Sequence, residues 1–279
     1  MINPTRMLFG LALISCSPEE VVNDPGLDWD AIQALSPLGD LPDDPTNRVY
    51  TSPAATTFGE LLFFEPRLSS NGNVSCSSCH QPEHGFSDGR VLSEAVGTPS
   101  RHTPGLLNVG WNRWFFWDGR ADSLWSQALK PLEGPEEHGF SRLELVHLIT
   151  SDTELSAAYT EVFGTMPDTS DLSRFPAAAK PVPTEPEDPD HIAWIGMTEE
   201  DQGTINEVYA NVGKSIAAYE RSLTRTDSPF DAYIAAIGAD DPEAESLLEP
   251  EALLGLELFV GQAGCINCHS GPTLSDLQL

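Results

Sequence analysis

The sequence predicts a mainly α-helical fold in two domains, and three observations carry that reading. Few runs alternate apolar and polar residues with period two, and several stretches repeat them with the helical period. Two C-x-x-C-H motifs also stand far apart, at 76–80 and 265–269, each able to anchor a domain of its own. A length of 279 residues suits two cores, and the 22 glycines and 23 prolines imply many ordered loops between helices.

Taken in order, residues 1–16 place Arg6 ahead of an apolar run at 7–14 that is too short to cross a bilayer as a helix. The segment reads as an export signal. Its end, Leu13-Ile14-Ser15-Cys16, resembles a lipobox, so the expectation is a lipoprotein-type signal and a chain held through Cys16 in the periplasm or cell envelope. Residues 17–55, rich in Pro, Asp and Ser without a sustained period, read as a tether or an N-terminal arm that wraps the body.

The first domain is set at 56–200. Within it, Ser141 with Glu144 forms a capping box ahead of Leu143, Val146 and Ile149. Leu155, Ala158, Tyr159, Val162 and Phe163 then recur at helical spacing. The proline-rich, acidic stretch 165–190 reads as a surface loop near the end of this domain. The second domain, 201–279, opens with a stripe of Ile205, Val208, Tyr209, Val212, Ile216 and Leu223, started by Thr204 with Glu207 as a capping box. Pro250 marks the start of a helix whose Leu253, Leu254, Leu258 and Phe259 lead to the second motif through Gly261 and Gly264.

Four of the five cysteines form the pairs Cys76 with Cys79 and Cys265 with Cys268, leaving Cys16 for the lipobox. A histidine follows each pair directly, the pattern of c-type haem attachment. Two thioethers fix the edge of one haem to the chain, and the next residue offers its imidazole to the iron, so His80 and His269 are the expected proximal ligands. Zinc is the competing reading. A zinc ribbon brings its second pair roughly 15 to 20 residues after the first. Here Cys265 follows Cys79 by 186 positions, and neither histidine would be needed.

The 43 acidic side chains against 14 basic ones give a formal net charge of −29, which argues against a nucleic-acid partner. Such a surface steers a basic partner such as a small cytochrome, or serves only solubility.

With these residues assigned, the chain from about residue 56 onward resembles the bacterial di-haem cytochrome c peroxidases, including their MauG branch, which oxidises tyrosine or tryptophan in other proteins. The likeness rests on CSSCHQPEHGFSDGR (76–90), TPGLLNVGWNRWFFWDGRADSLWSQALKPLEGPEEHG (103–139), NVGKSIAAYERSLTRTDSPFDAY (211–233) and GLELFVGQAGCINCHSGP (255–272). It implies two c-type cytochrome domains, with hydrogen peroxide reduced at the first haem and electrons stored and relayed by the second. The donor it implies is a small redox protein, a cytochrome c or a cupredoxin, and a homodimer is compatible with it.

Trp117 matches the tryptophan that lies between the haems, while Gln127 and Glu137 match the polar pair above the first iron. The plain alternatives are core packing for Trp117 and an ordinary solvated carboxylate for Glu137, beside Glu136. Residues 85–101 contain no histidine to close the distal face of the first haem, which the MauG branch leaves open. His102 stands where the family places an asparagine ligand for calcium, and imidazole suits that oxygen-seeking ion badly.

The sequence given reaches Leu279 ten residues after His269, where the family continues into the segment carrying the second haem's sixth ligand, a methionine or tyrosine. The second domain is therefore expected to be incomplete. The competing functions are MauG-like oxidation of a partner protein and passive electron carriage by two closed haems, for which Gln127 and Glu137 would have no catalytic meaning.

Overall fold

A computed structural model describes residues 28–277, so the expected export signal and Cys16, the expected lipid attachment point, lie outside the described residues. The described chain is helical throughout, with β-structure limited to two isolated bridges, Gln81 with Ser87 and Phe115 with Ala121. No helix among these residues is long and apolar enough to cross a membrane.

Ten α-helices follow one another among the described residues: α1 (Trp29–Gln33), α2 (Pro53–Phe63), α3 (Cys76–Cys79), α4 (Leu124–Glu133), α5 (Arg142–Ser151), α6 (Thr153–Phe163), α7 (Pro189–Ile195), α8 (Glu199–Glu220), α9 (Pro229–Gly238) and α10 (Pro250–Val260). Their starts follow from the sequence. Ser52, Asp152, Asp188, Thr198 and Ser228 accept hydrogen bonds from first-turn amides, and proline opens α2, α7, α9 and α10, where its missing N–H costs nothing. The capping box of Ser141 with Glu144 starts α5 as expected.

Helix α8 is the spine of the larger core, packing against α2, α4 and α5. Ile205, Val208, Tyr209, Val212 and Ile216 are buried with Phe58, Leu62, Leu132, Val146 and Ile149 in a single cluster. The apolar stripe of α8, which follows the boundary expected at residue 200, thus packs into the same core as α2, α4 and α5. The start expected for this helix is corrected. Thr198 caps the helix and Glu199, Glu200 and Asp201 occupy its first turn, where the helix dipole favours carboxylates, whereas Thr204 lies inside and bonds back to the Glu200 carbonyl.

Two glycines let the helices meet backbone to backbone. A Cβ at Gly59 would overlap the Ser215 carbonyl, and one at Gly213 would sit 2.6 Å from the Trp125 carbonyl. The closeness of α2 to α8 offsets the helix-propensity cost of a mid-helix glycine. Gly59→Ala is expected to destabilise the protein by roughly 1–3 kcal/mol, the usual cost of overpacking, read as a lowered thermal midpoint.

The stretch 165–188 is irregular, as a surface loop would be, but it is pinned down. Phe175 and Ala179 are buried in the main core, and Arg174 donates to the buried Asp201 at 2.5 Å. A smaller cluster joins α1, α9 and α10 through Ile32, Tyr233, Ile234 and Leu253, so the described part of the N-terminal segment lies against the body.

A candidate haem-binding cavity

Both C-x-x-C-H motifs fold into the same local device. In the first, Ser75 and Ser78 form a capping box around the single turn of α3, and the His80 amide closes onto the Cys76 carbonyl at 2.8 Å. The chain then reverses, and the His80 ring meets the Phe86 carbonyl at 2.8 Å through Nδ1. A carbonyl only accepts, so Nδ1 carries the proton and Nε2 keeps the lone pair that a metal needs. Burial holds His80 below the ordinary histidine range, against the pull of the Phe86 and Pro104 carbonyls, so the ring is neutral and suited to ligation.

The second motif repeats this arrangement. Gly264, at a φ of 66° that favours glycine, opens a short turn at Cys265–Asn267. The His269 amide closes onto the Cys265 carbonyl at 2.9 Å, and its Nδ1 donates to the Leu274 carbonyl at 3.0 Å. Phe86 and Leu274, the two acceptors, are non-glycine residues with φ of 61° and 51°. Strained backbone at matching places of two separate motifs fits a shared purpose, which is to aim a carbonyl at the imidazole and free its Nε2. This motif lies at the surface, with Cys268 and His269 exposed and the apolar Leu254, Leu258 and Leu274 exposed nearby.

The first motif opens into a cavity of about 520 Å³, within the range of roughly 300–1,000 Å³ common for cofactor sites. Cys76, Cys79 and His80 line it, as do Gln127, Glu137 and Trp117. Every first-site residue expected from the sequence therefore faces one cavity, with apolar walls from residues such as Leu106, Phe115 and Ile216. Two thiols, a neutral imidazole with a free nitrogen and an apolar slot fit a c-type haem. Burial, followed by the Glu220 carboxylate, pushes the Cys76 thiol up to about 12. That state suits a neutral thioether better than a thiolate on zinc.

Gln127 projects from α4, and its side-chain amide makes no hydrogen bond within the described residues. Glu137 sits in the turn after α4, which Gly139 closes at a φ of 61° by bonding back to the Gly134 carbonyl. Burial raises the Glu137 carboxyl, with Glu136 acting in the same sense and Arg120 opposing. Trp117 stands at the rim, 63% exposed, its indole N–H donating to the His102 carbonyl at 2.8 Å. Core packing is thus not its use. His102 has Nδ1 committed to the Arg90 carbonyl.

Arg120 and Glu220 also line this cavity and were not picked out from the sequence, while His138, beside Glu137, lines it as well. His138 is buried, with Nδ1 donating to the Leu68 carbonyl at 2.7 Å. Glu220 had a legible signal, since it falls one turn after Ile216 on the apolar stripe of α8. An acid on a buried face asks for an explanation.

Comparison with known proteins agrees with the geometry. Residues 53–238 match the family model described as di-haem cytochrome c peroxidase. The methylamine utilization protein MauG of Methylorubrum extorquens is 33% identical over 223 residues, which is 78% of this chain and 50% of that protein. The cytochrome c551 peroxidase of Pseudomonas aeruginosa is 31% identical over 77% of this chain and 50% of its own length. Among solved structures, a MauG-like protein associated with microbial copper homeostasis superposes with a TM-score of 0.61 at 25% identity, covering 87% of this chain and 58% of that one. The chain spans about half the length of the curated relatives it matches.

Proposed function

Because the chain belongs to the di-haem cytochrome c peroxidase family, whose members carry two covalently bound c-type haems, we propose that it reduces hydrogen peroxide to water at the first motif with electrons relayed through the second. The observation that carries this reading is the convergence of Cys76, Cys79 and His80 with Gln127 and Glu137 on one cavity. The overall reaction consumes one peroxide, two electrons and two protons and yields two waters. The donor is a small redox protein, and a chain of net charge −29 favours a basic one. The reaction takes place in the cell envelope.

Bound haem supplies the iron at which the O–O bond of peroxide is split. The chain's own residues manage the rest. His80 would hold the iron through Nε2, which the Phe86 carbonyl leaves free by fixing the proton on Nδ1. Gln127 offers a hydrogen bond to the bound peroxide. Glu137 takes the proton from the inner oxygen and returns it to the outer one, so that water leaves. Its raised pKa brings both halves of that exchange nearer to neutral pH. Trp117, exposed at the rim, would pass electrons into the cavity.

A second reading, MauG-like oxidation of aromatic residues in a partner, is favoured by the identity of 33% with a MauG protein. Purified holoprotein from an export-competent host with cytochrome maturation separates the two. The expected result is two haems per chain that acid acetone does not extract, and steady peroxide consumption with a reduced small cytochrome or cupredoxin. Peroxide consumption that requires an aromatic-bearing partner protein, with that partner oxidised, would favour the MauG-like reading. Zinc in place of iron would end both.

A further inference from the structure

Helix α4 carries Gln127 and leads straight into the turn that carries Glu137, so the joint between them sets how the two meet on the cavity. That joint is weak by sequence. Pro131 lies inside the helix and has no N–H to give to the Gln127 carbonyl four residues earlier. The last carbonyls of the helix are then used to build the turn. Those of Lys130 and Pro131 share the Gly134 amide, that of Pro131 also accepts from His138, and that of Leu132 accepts from Phe140 at 2.8 Å. The final one, of Glu133, accepts from the Lys180 ammonium at 3.1 Å.

The Glu133 side chain is held as well. Arg142, on α5, grips its carboxylate with Nε at 2.7 Å and Nη2 at 2.9 Å, and its remaining Nη1 donates to the Asn206 side chain of α8. Its guanidinium lies over two rings, Trp194 of α7 at 5.1 Å and Tyr209 of α8 at 4.8 Å. Both partners of the ion pair are largely shielded, with side chains 14% and 20% exposed. Tyr209 in turn donates its hydroxyl hydrogen to the Leu129 carbonyl of α4 at 2.6 Å. A two-point grip fixes a carboxylate in one plane, which a single ammonium cannot do. One arginine thus ties the end of α4 to α5, α7 and α8.

The stretch 165–188 adds to this hold. Ala179 joins the exit of the turn twice, its amide donating to the Ser141 hydroxyl and its carbonyl accepting from the Leu143 amide, each at 3.3 Å. The turn itself is pinned separately, by the Ser70, Val96 and Gly97 amides on the His138, Glu137 and Glu136 carbonyls. Those bonds hold the backbone of 136–138 but not its distance from Gln127. That distance runs through residues 131–134, and Arg142 and Lys180 hold the Glu133 end of it.

We propose that Arg142 is a positioning residue for peroxide reduction, acting with Lys180 to lock the joint between Gln127 and Glu137 so that both side chains reach the same bound peroxide. The assignment rests on Glu137 being the proton carrier of that reaction. Arg142 is not among the residues that line the cavity, so it touches neither peroxide nor haem and acts only through where Glu137 stands. Placement of this kind matters greatly: a shift of about 1 Å caused by a distant change costs on the order of 100-fold in rate.

A double-mutant cycle on the holoprotein tests this, with Glu137→Gln as the second change. Arg142→Met removes the fork and the charge but keeps an unbranched apolar chain to pack between Trp194 and Tyr209. Alone it is expected to lower kcat for peroxide by roughly 10- to 100-fold at equal haem content. In the Glu137→Gln background the same change is expected to cost under about twofold, because the placement it disturbs no longer matters there. A general weakening of the fold would lower both backgrounds alike, so equal losses in the two, or no loss in the parent background, would overturn the inference. The Glu137, His138, Gly139 and Phe140 amides should also exchange hydrogen faster in Arg142→Met than in the parent, and unchanged exchange there would overturn it equally. If Arg142→Met loads haem poorly, Glu133→Gln, which keeps one acceptor for the fork, carries the same cycle with the same outcomes. Parental turnover in Glu137→Gln alone would instead end the reading of Glu137 itself, and the role of Arg142 with it.

Discussion

Glu137→Gln is expected to slow peroxide turnover by roughly 100- to 10,000-fold, the usual contribution of a positioned acid–base group, with both haems still attached. Glutamine keeps the size and hydrogen-bonding reach of glutamate but carries no proton between the two oxygens of peroxide. The turn at 134–139 should survive the change, because it is held by backbone bonds from the Glu137, His138 and Gly139 amides to the carbonyls of Gly134, Pro131 and Gly134. Nor is a structural ion pair lost, since no salt bridge to Glu137 forms among the described residues. Steady-state donor oxidation and single-turnover reaction with peroxide, measured on parent and variant at equal haem content, check the expectation. Turnover within about threefold of the parent, well under that range, would take Glu137 out of the role. The next group to test would then be His138, which is buried on the cavity, and not Glu136, which is exposed.

How much of this was legible in the sequence depends on the range of the interaction that decides each feature. Local chemistry was readable. The box of Ser141 with Glu144, the proline start of α10 and both haem motifs are set by residues within one helical turn of each other. The start of α8 misled because Thr204 with Glu207 satisfies the same local pattern as Thr198. What separates them is the run 199–201, whose acids belong at a helix N-terminus.

Features decided by distant segments were not readable. Nothing near residue 205 says that its stripe will pack on α2, about 150 positions earlier, since that contact depends on Gly59 allowing backbone approach at Ser215. The first-site residues Gln127, Glu137 and Trp117 came from family likeness, and the fold brings them to one cavity. Glu220 escaped for a related reason. Its position on the stripe was visible, but its lack of a partner follows only from where Arg221 and the surrounding helices turn.

Changing Cys76 and Cys79 together to alanine is expected to lower the covalently attached haem from two to one per chain and to abolish peroxide turnover. The thioethers are the only covalent hold that the first motif offers, and without them His80 keeps haem by a single coordinate bond that acid acetone will break. The remaining haem should stay because the second motif is assembled from its own short segment. Gly264 sets its entry, Cys265 receives the His269 amide, and the Leu274 carbonyl orients the ring, with no contribution from residues 76–80. The mass of the intact chain decides between outcomes, since each attached haem adds one fixed increment. Two increments in the variant would mean that the first motif is not an attachment site. None would mean that the motifs do not load independently, contrary to their local construction. One increment, with donor oxidation by peroxide lost, places the chemistry in the cavity that His80 and Glu137 share.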